Sequence, residues 1–307
     1  MSAASQPHIV VVGSGVIGLS TAVSLLDSPL PMNVTLVSSH FPTDKDNRAV
    51  APAEYASVWA GAHHVSSPSS ERELKWDKET MSVFRALQQQ HTQRGNGTGT
   101  RTRTPSPLVW VRQSELFATP PNNDTEKWTR SALDMYECGA GTGTSTGAGH
   151  TLFKTSPSLP VYEERHFNTI DINVPVYLSM LFSRFSELGG RTVRRRVRNV
   201  KEAVQLATNA NRSQHHPVSA VFLTPGLGIR DFSDIPTDER EKTYPVRGQT
   251  VLVHAPWLRL HDALATEQSP TWAGLSRTNE KGERDLYIIP RGDGHFIVGG
   301  TRLPHDE

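Results

Sequence analysis

An α/β fold in two domains, one of them discontinuous in sequence, is predicted by three observations. Val10-Val11-Val12 is an apolar, β-branched run that empties directly into Gly13-Ser14-Gly15-Val16-Ile17-Gly18, after which Leu19, Val23 and Leu26 recur at helical spacing. A second strand-to-glycine turn returns far downstream, where residues 220–223 enter Thr224-Pro225-Gly226-Leu227-Gly228. Late in the chain, short apolar runs at 250–253, 286–290 and 295–298 are separated by polar turns, the pattern of an antiparallel sheet. With 307 residues the chain has the length of about two domains.

The first strand is expected at 8–12. In the turn that follows it, Gly13 permits the tight bend, Gly15 lets the backbone approach a pyrophosphate, and Gly18 lets the helix pack close to the sheet. A Gly-rich corner in some other α/β unit is the alternative for the turn alone. Residues 34–37 read as the second strand and close a first β-α-β unit. Its end, Ser38-Ser39-His40, carries no carboxylate for ribose hydroxyls, which argues against an NAD-dependent dehydrogenase. Residues 56–62, Ala-Ser-Val-Trp-Ala-Gly-Ala, are small enough to approach a planar ligand, or else form a tight loop on a core tryptophan. A helix is expected over 71–87 on the apolar side of Leu74, Met81, Phe84 and Leu87.

Two tracts, 94–107 and 139–149, are rich in Gly, Thr, Ser and Ala or Arg and Pro, and read as flexible inserts. Between them, 108–111 and 115–118 suggest the two strands of a hairpin. Asn173 is placed to cap a helix with Pro175 in its first turn and Gly189 as its stop. A strand follows over 191–197. The expected division is 1–67 with 160–237 for the nucleotide domain, and 68–159 with 238–307 for the second domain.

Bulk properties narrow the function. Lys plus Arg number 32 against 31 Asp plus Glu, a net charge of +1, so neither nucleic acid nor an anionic membrane is expected as partner. Arg194-Arg195-Arg196 reads as a solvated corner. Hydrophobic residues make up only 36% and mean hydropathy is −0.44, consistent with inserts that contribute no core. The single cysteine, Cys138, excludes an internal disulfide framework and fits a reducing, intracellular compartment. No apolar run or signal-peptide pattern points to a membrane. The 13 histidines include adjacent pairs at His63-His64 and His215-His216 but no metal-ligand spacing, so no metal is expected.

VGSGVIGLSTA (12–22), ASVWAGA (56–62), PVRGQTVLV (245–253), YIIP (287–290) and VGGT (298–301) occur in the order found in the flavin-dependent D-amino-acid and D-aspartate oxidases. The chain resembles this family in its fungal form over nearly its whole length. The resemblance implies FAD in extended form on a discontinuous Rossmann-type domain. It also implies an α+β substrate domain with a mixed, largely antiparallel sheet. The implied reaction oxidises a D-amino acid, with oxygen as acceptor, to an imino acid that hydrolyses to a keto acid and ammonia, with hydrogen peroxide formed. A peroxisomal location is the family expectation.

By the same resemblance, Gly13, Ser14, Gly15, Val16, Ile17 and Gly18 cradle the pyrophosphate, and Ser39 and His40 meet the adenosine ribose. Ser57, Gly61, Ala62 and His63 match the loop beside the pyrophosphate and flavin ring, and Val197 a backbone contact to adenine. Gly226 and Gly228 match the second glycine turn, with Pro225 replacing a threonine and bringing no amide donor. Tyr287 matches a tyrosine that lines the substrate cavity, although a half-buried strand tyrosine has a packing role as an alternative. Arg302, directly after Gly299-Gly300-Thr301, stands where D-aspartate oxidases carry arginine, so acidic substrates such as D-aspartate are favoured. Arg277 and Arg284 are either a further cation source or exposed loop charges. The family also leads one to expect, beyond Glu307, an arginine that clamps the substrate α-carboxylate and a last flavin-binding helix. A flavin-binding remnant with impaired catalysis is therefore the competing expectation.

Overall fold

The computed structural model describes residues 6–43, 52–66, 68–95, 105–119, 144–145, 162–210, 217–257, 272–278 and 284–304. The helices are α1 (Val16–Leu26), α2 (Glu71–Gly95), α3 (Val174–Glu187), α4 (Val200–Ala210) and α5 (Thr237–Glu241). The first seven strands are β1 (His8–Val12), β2 (Asn33–Ser38), β3 (Leu108–Phe117), β4 (Thr144–Ser145), β5 (Glu163–Ile172), β6 (Arg191–Arg194) and β7 (Val218–Leu223). They are followed by β8 (Val246–Arg247), β9 (Thr250–His254), β10 (Trp272–Thr278), β11 (Arg284–Pro290), β12 (His295–Gly299) and β13 (Leu303–Pro304). The chain divides into one compact unit of Met1–Ala60, Val174–Val246 and Pro304–Glu307, and another of Gly61–Asn173 and Arg247–Leu303. The divisions therefore fall at 60/61, 173/174 and 246/247, where the sequence reading placed 67/68, 159/160 and 237/238, with a further one at 303/304.

The first unit is built on a parallel sheet in the order β6-β2-β1-β7. β1 is buried along its whole length, which is why it is apolar from Ile9 to Val12 without alternation: a parallel strand covered on both faces has no solvent side to alternate with. Val10 and Val12 join Val37, Val197, Ala203, Ala207 and Phe232 in one core cluster, with α4 supplying the two alanines. α1 packs against α3, which buries Leu178, Leu181 and Phe185. Burying each such side chain contributes about 1.5–3 kcal/mol. β6 ends at Arg194, three residues short of the expected strand, and Val197 turns into the core instead.

The second unit carries a seven-stranded mixed sheet in the order β4-β5-β3-β10-β11-β12-β9, parallel only between β3 and β10. The expected hairpin at 108–118 is one continuous strand, β3, paired with β5 over ten residues. Its polar middle is accommodated because Gln113 and Ser114 are buried, with Gln113 Nε2 donating to Ser276 Oγ at 3.3 Å. α2 opens with Ser69 donating through its amide to Glu73 at 2.7 Å while the Glu73 amide donates back to Ser70 Oγ at 3.3 Å. It runs eight residues past the expected stop at Leu87, to Gly95.

Of the two Gly-rich tracts, 96–104 and most of 139–149 lie outside the described residues, whereas Thr144 and Ser145 pair with β5. Asn173 does not cap α3 through its carboxamide. Its Nδ2 donates to the Arg291 carbonyl at 3.0 Å and to Asp293 Oδ2 at 3.2 Å, and its Oδ1 has no donor among the described residues.

Candidate functional site

In the first unit the direction of strand order reverses at β1, with β2 on one side and β7 on the other. Glycine turns leave the carboxyl ends of both β1 and β7, the crevice where open α/β sheets take ligands. Gly13 has φ +103°, and a Cβ there would stand 2.3 Å from the Thr224 carbonyl oxygen. A Cβ on Gly18 would stand 1.8 Å from the Gly13 carbonyl oxygen. Both positions are closed to any side chain by backbone. Thr224 locks the two turns together, donating from its amide and from its hydroxyl to the Val12 carbonyl at 2.9 and 2.7 Å.

Gly15 differs. It precedes α1 with φ −67° and ψ −179°, a conformation open to any residue, and no side chain caps the helix from this position. A Cβ would meet only the Ser57 side chain, its hydroxyl oxygen at 2.9 Å and its Cβ at 3.9 Å. Ser57, in a 3-10 turn over Ala56–Trp59, accepts the Val16 amide at 3.0 Å, and Ile17 is 68% exposed on the same first helical turn. The space over Gly15 is thus a cradle that a larger residue fills, at the positive end of α1, which suits an anion such as a pyrophosphate.

Ser14 is buried. Its hydroxyl donates to the His40 carbonyl and shares a second hydrogen bond with the Ser38 hydroxyl at 3.0 Å, so its side chain joins the glycine turn to the end of β2. Ser39 Oγ lies 2.9 Å from His40 Nδ1, and the His40 ring stacks on Tyr55 at 5.9 Å. The Tyr55 hydroxyl donates to the Ser14 carbonyl at 2.8 Å, and Arg194 donates to the Ser39 carbonyl at 3.2 Å. Sequence reasoning missed Tyr55, although an aromatic residue directly before a run of small ones was a usable signal. At the second turn Gly226 has φ +58° with open space around it, and the Gly228 amide donates to the Pro225 carbonyl at 3.1 Å. Val197 is buried by its side chain, so only its backbone is left for a ligand.

In the second unit Gly61 lies against β11: a Cβ there would stand 2.6 Å from Ile289 Cδ1 and 3.7 Å from Tyr287 Cε2. Ala62 is the single described non-glycine residue with positive φ, +57°, a conformation that costs about 1–2 kcal/mol. It is held there by the Ile172 amide donating to the Ala62 carbonyl at 3.0 Å and the His64 amide donating to the Ile170 carbonyl at 3.1 Å. His63 Nδ1 sits 2.5 Å from Asp171 Oδ1. Burial pushes the Asp171 carboxyl up, against the pull of the neighbouring His63. Burial likewise pushes His64 down, with Asp77 opposing, and its ring meets Phe84 edge-on. Asp171 was another residue missed, its signal being an acid flanked by Ile170 and Ile172.

Tyr287 lies on β11 opposite Gly299 of β12, half-buried. A Cβ on Gly299 would stand 2.7 Å from both the phenol carbon and its oxygen, so the ring lies directly on that glycine. Arg302 is solvent-exposed beyond the end of β12 and pairs with no described residue, so its guanidinium is not desolvated here. The physical reason is local: Thr301 and Leu303 on either side are exposed as well, and no described element covers this stretch. Arg277 is not a loop charge but a half-buried residue of β10, and Arg284 opens β11.

Among the described residues no group of His, Cys, Asp and Glu could hold a metal ion, and no helix is long and apolar enough to cross a membrane. The family model described as DAO, FAD dependent oxidoreductase, matches residues 8–307. A D-aspartate oxidase of Cryptococcus neoformans var. grubii is 30% identical over 314 residues, spanning 98% of this chain and 68% of that protein. A D-amino-acid oxidase of Schizosaccharomyces pombe is 28% identical, spanning 99% and 72% respectively. The crystal structure of glycine oxidase from Geobacillus kaustophilus superposes with a TM-score of 0.57 at 15% identity, covering 98% of this chain and 73% of that one. That likeness extends the α/β architecture to a solved oxidase. A glycine cradle at a strand-order reversal, a mixed-sheet second unit and a match from the first strand to the last residue converge on one assignment: this chain belongs to the DAO family of FAD-dependent oxidoreductases.

Proposed function

We propose that the chain catalyses the FAD-dependent oxidative deamination of D-amino acids, with acidic ones such as D-aspartate favoured. Two electrons and two protons leave the substrate as it becomes an imino acid. Oxygen takes them up as hydrogen peroxide, and water converts the imino acid to a keto acid and ammonia. The observation that carries the reading is the paired glycine turn, whose Gly15 cradle and helix N-terminus fit the pyrophosphate of a dinucleotide. When bound, FAD supplies the hydride acceptor for the substrate α-carbon.

The protein's own residues bind and orient. Gly13 to Gly18 hold the pyrophosphate, Ser39 and His40 the ribose, the Val197 backbone the adenine, and Gly226 and Gly228 the far wall. Ser57, Gly61, Ala62 and His63 line the approach to the flavin. The Tyr287 phenol hydrogen-bonds the substrate α-carboxylate. Arg302 takes a side-chain carboxylate, a role supported by its place after Gly299-Gly300-Thr301 and by the D-aspartate oxidases among the relatives.

The test begins with the absorption spectrum of the purified protein, where flavin bands are expected, and continues with peroxide release from D-aspartate and D-alanine. In Arg302→Tyr the ratio of kcat/KM for D-aspartate over D-alanine should fall roughly 10- to 100-fold, the worth of one charge-assisted pair. An unmoved ratio removes Arg302 from substrate selection and makes neutral D-amino acids the expected substrates. The exposure of Arg302 favours a second reading, a flavin-binding protein without turnover. Flavin bands with no peroxide from any D-amino acid would establish that one.

A further inference from the structure

His63 and Asp171 lie 108 residues apart in sequence, yet the backbone brings them together as the two residues of an isolated antiparallel bridge. The hydrogen bonds on either side, Ile172 amide to Ala62 carbonyl and His64 amide to Ile170 carbonyl, leave the pair little freedom to part. The His63 side chain is 5% exposed and the Asp171 side chain 0%, with Nδ1 2.5 Å from Oδ1. The opposite ring nitrogen, His63 Nε2, is buried as well and has no hydrogen-bond partner among the described residues. Buried polar atoms are almost always paired, so an orphan held this rigidly calls for an explanation.

Proton counting gives one. With the shared proton on Nδ1, His63 is an imidazolium and Nε2 carries a hydrogen. With that proton on the carboxyl oxygen, Asp171 donates to Nδ1 and the neutral ring again carries its hydrogen on Nε2. Nε2 is bare in two other states: with Asp171 a carboxylate beside a neutral ring, which leaves a net negative charge in a fully buried place, or with the Asp171 proton on Oδ2, which leaves a buried hydroxyl with no acceptor among the described residues. The burial that pushes the Asp171 carboxyl up works against the first, and the orphaned hydroxyl against the second. The other titratable groups nearby are His64, adjacent to His63, and Asp77, which acts on His64.

We propose that Asp171 is a positioning residue that keeps His63 Nε2 permanently protonated, as a buried donor for an anionic or carbonyl oxygen of the bound ligands. The acceptor is either an oxygen of the flavin or a carboxylate of the amino-acid substrate. The choice of ligands rests on the function proposed above. The protonation of Nε2 does not.

The experiment uses the holoenzyme with 15N-labelled histidine rings. The His63 Nε2 signal, assigned by its loss in His63→Gln, is expected at the position of a protonated nitrogen throughout the neutral pH range. An Nε2 signal of an unprotonated nitrogen overturns the proposal without any change to Asp171. In Asp171→Leu, Nε2 should become partly unprotonated, and one ligand affinity should fall about 10- to 100-fold, the loss of one buried hydrogen bond to a charged or polar partner. Weaker flavin binding to apoprotein, followed by fluorescence quenching, assigns the acceptor to the flavin. Unchanged flavin binding with weaker malonate binding to holoenzyme assigns it to the substrate carboxylate. Both affinities within about 2-fold of the parent in folded Asp171→Leu overturn the proposal. Absence of flavin from the parent protein would instead sink the proposed function, and the ring-nitrogen signal would still decide His63.

Discussion

Gly15 and Gly18 belong to one motif but are glycines for different reasons, so replacing each should break a different property. At Gly18 an added methyl meets the Gly13 carbonyl oxygen at 1.8 Å, its carbon at 2.9 Å and Thr224 Oγ1 at 2.7 Å. The first two are backbone, so α1 itself has to lift from β1 by more than ~1 Å to reach ordinary van der Waals separation. Overpacking of this kind costs roughly 1–3 kcal/mol or more, and each kcal/mol lowers Tm by about 1.5–2 °C in a chain of this length. Gly18→Ala should therefore unfold several degrees lower even as apoprotein. At Gly15 the φ and ψ suit any residue, and the added carbon meets only the Ser57 side chain, its Oγ most closely. Displacing that hydroxyl forfeits its bond with the Val16 amide, about 0.5–1.5 kcal/mol, partly offset by the smaller backbone freedom of the unfolded valine variant. Gly15→Val should leave the apoprotein within about 4 °C of the parent while abolishing flavin retention. The assays are thermal unfolding of apoprotein and flavin fluorescence quenching on titration. A Gly15→Val protein with undiminished flavin content, or a Gly18→Ala protein as stable as the parent, would refute the reasoning.

Two further outcomes follow from the second unit. Gly299→Ala places a carbon 2.7 Å from the Tyr287 phenol and must push the ring aside; KM for the D-amino acid should rise about 10-fold, the loss of one hydrogen bond, with flavin content unchanged. Steady-state kinetics beside the flavin absorbance ratio check this, and unaltered KM would take the phenol out of substrate contact. Burial of the Asp293 carboxyl opposes its ionisation, yet the His295 amide, Asn173 Nδ2 and the His295 ring together hold its pKa below the ordinary value. A carboxyl lowered by folding contributes stability that is present above the unfolded pKa of about 4 and lost as pH falls through the folded value. Asp293→Asn should thus be less stable than the parent at pH 6, with the gap closing below about pH 4; urea unfolding across that range with a constant gap would contradict the assignment.

The part of the fold that reads directly from the chain is the part made by neighbours in sequence. β1, its glycine turn and α1 announce themselves because a doubly covered parallel strand is uniformly apolar and the turn needs glycine where backbone meets backbone. β5 does not, because the residues it buries include Thr169 and Asp171 as well as Phe167 and Ile170, so its inward face has no apolar alternation. β3 reads as two pieces for the same reason, since Gln113 and Ser114 are polar yet buried. α4 carries the helical spacing Val200, Ala203, Val204, Ala207, but two alanines on its buried face dilute the signal. In the site, the glycines and Tyr287 are legible from motif and place. The environment of Arg302 and the pairing of His63 with Asp171 are not, because both depend on what long-range folding does or does not lay over them.

The hydroxyl of Thr224 closes on the Val12 carbonyl across 212 residues of sequence. At a synthesis rate of about 5–20 residues per second, β1 and its glycine turn spend roughly 10–40 s outside the ribosome before the strand that completes their far wall exists. During that interval one flank of β1, destined for β7, is an unpaired edge of isoleucine and valine behind His8, the kind of template that recruits other nascent strands. Flavin capture is therefore an event that waits for β7 and not one of the first β-α-β unit. Free cofactor supplied early in translation has nothing complete to hold it, whereas cofactor present as β7 docks would stabilise the closing sheet by mass action.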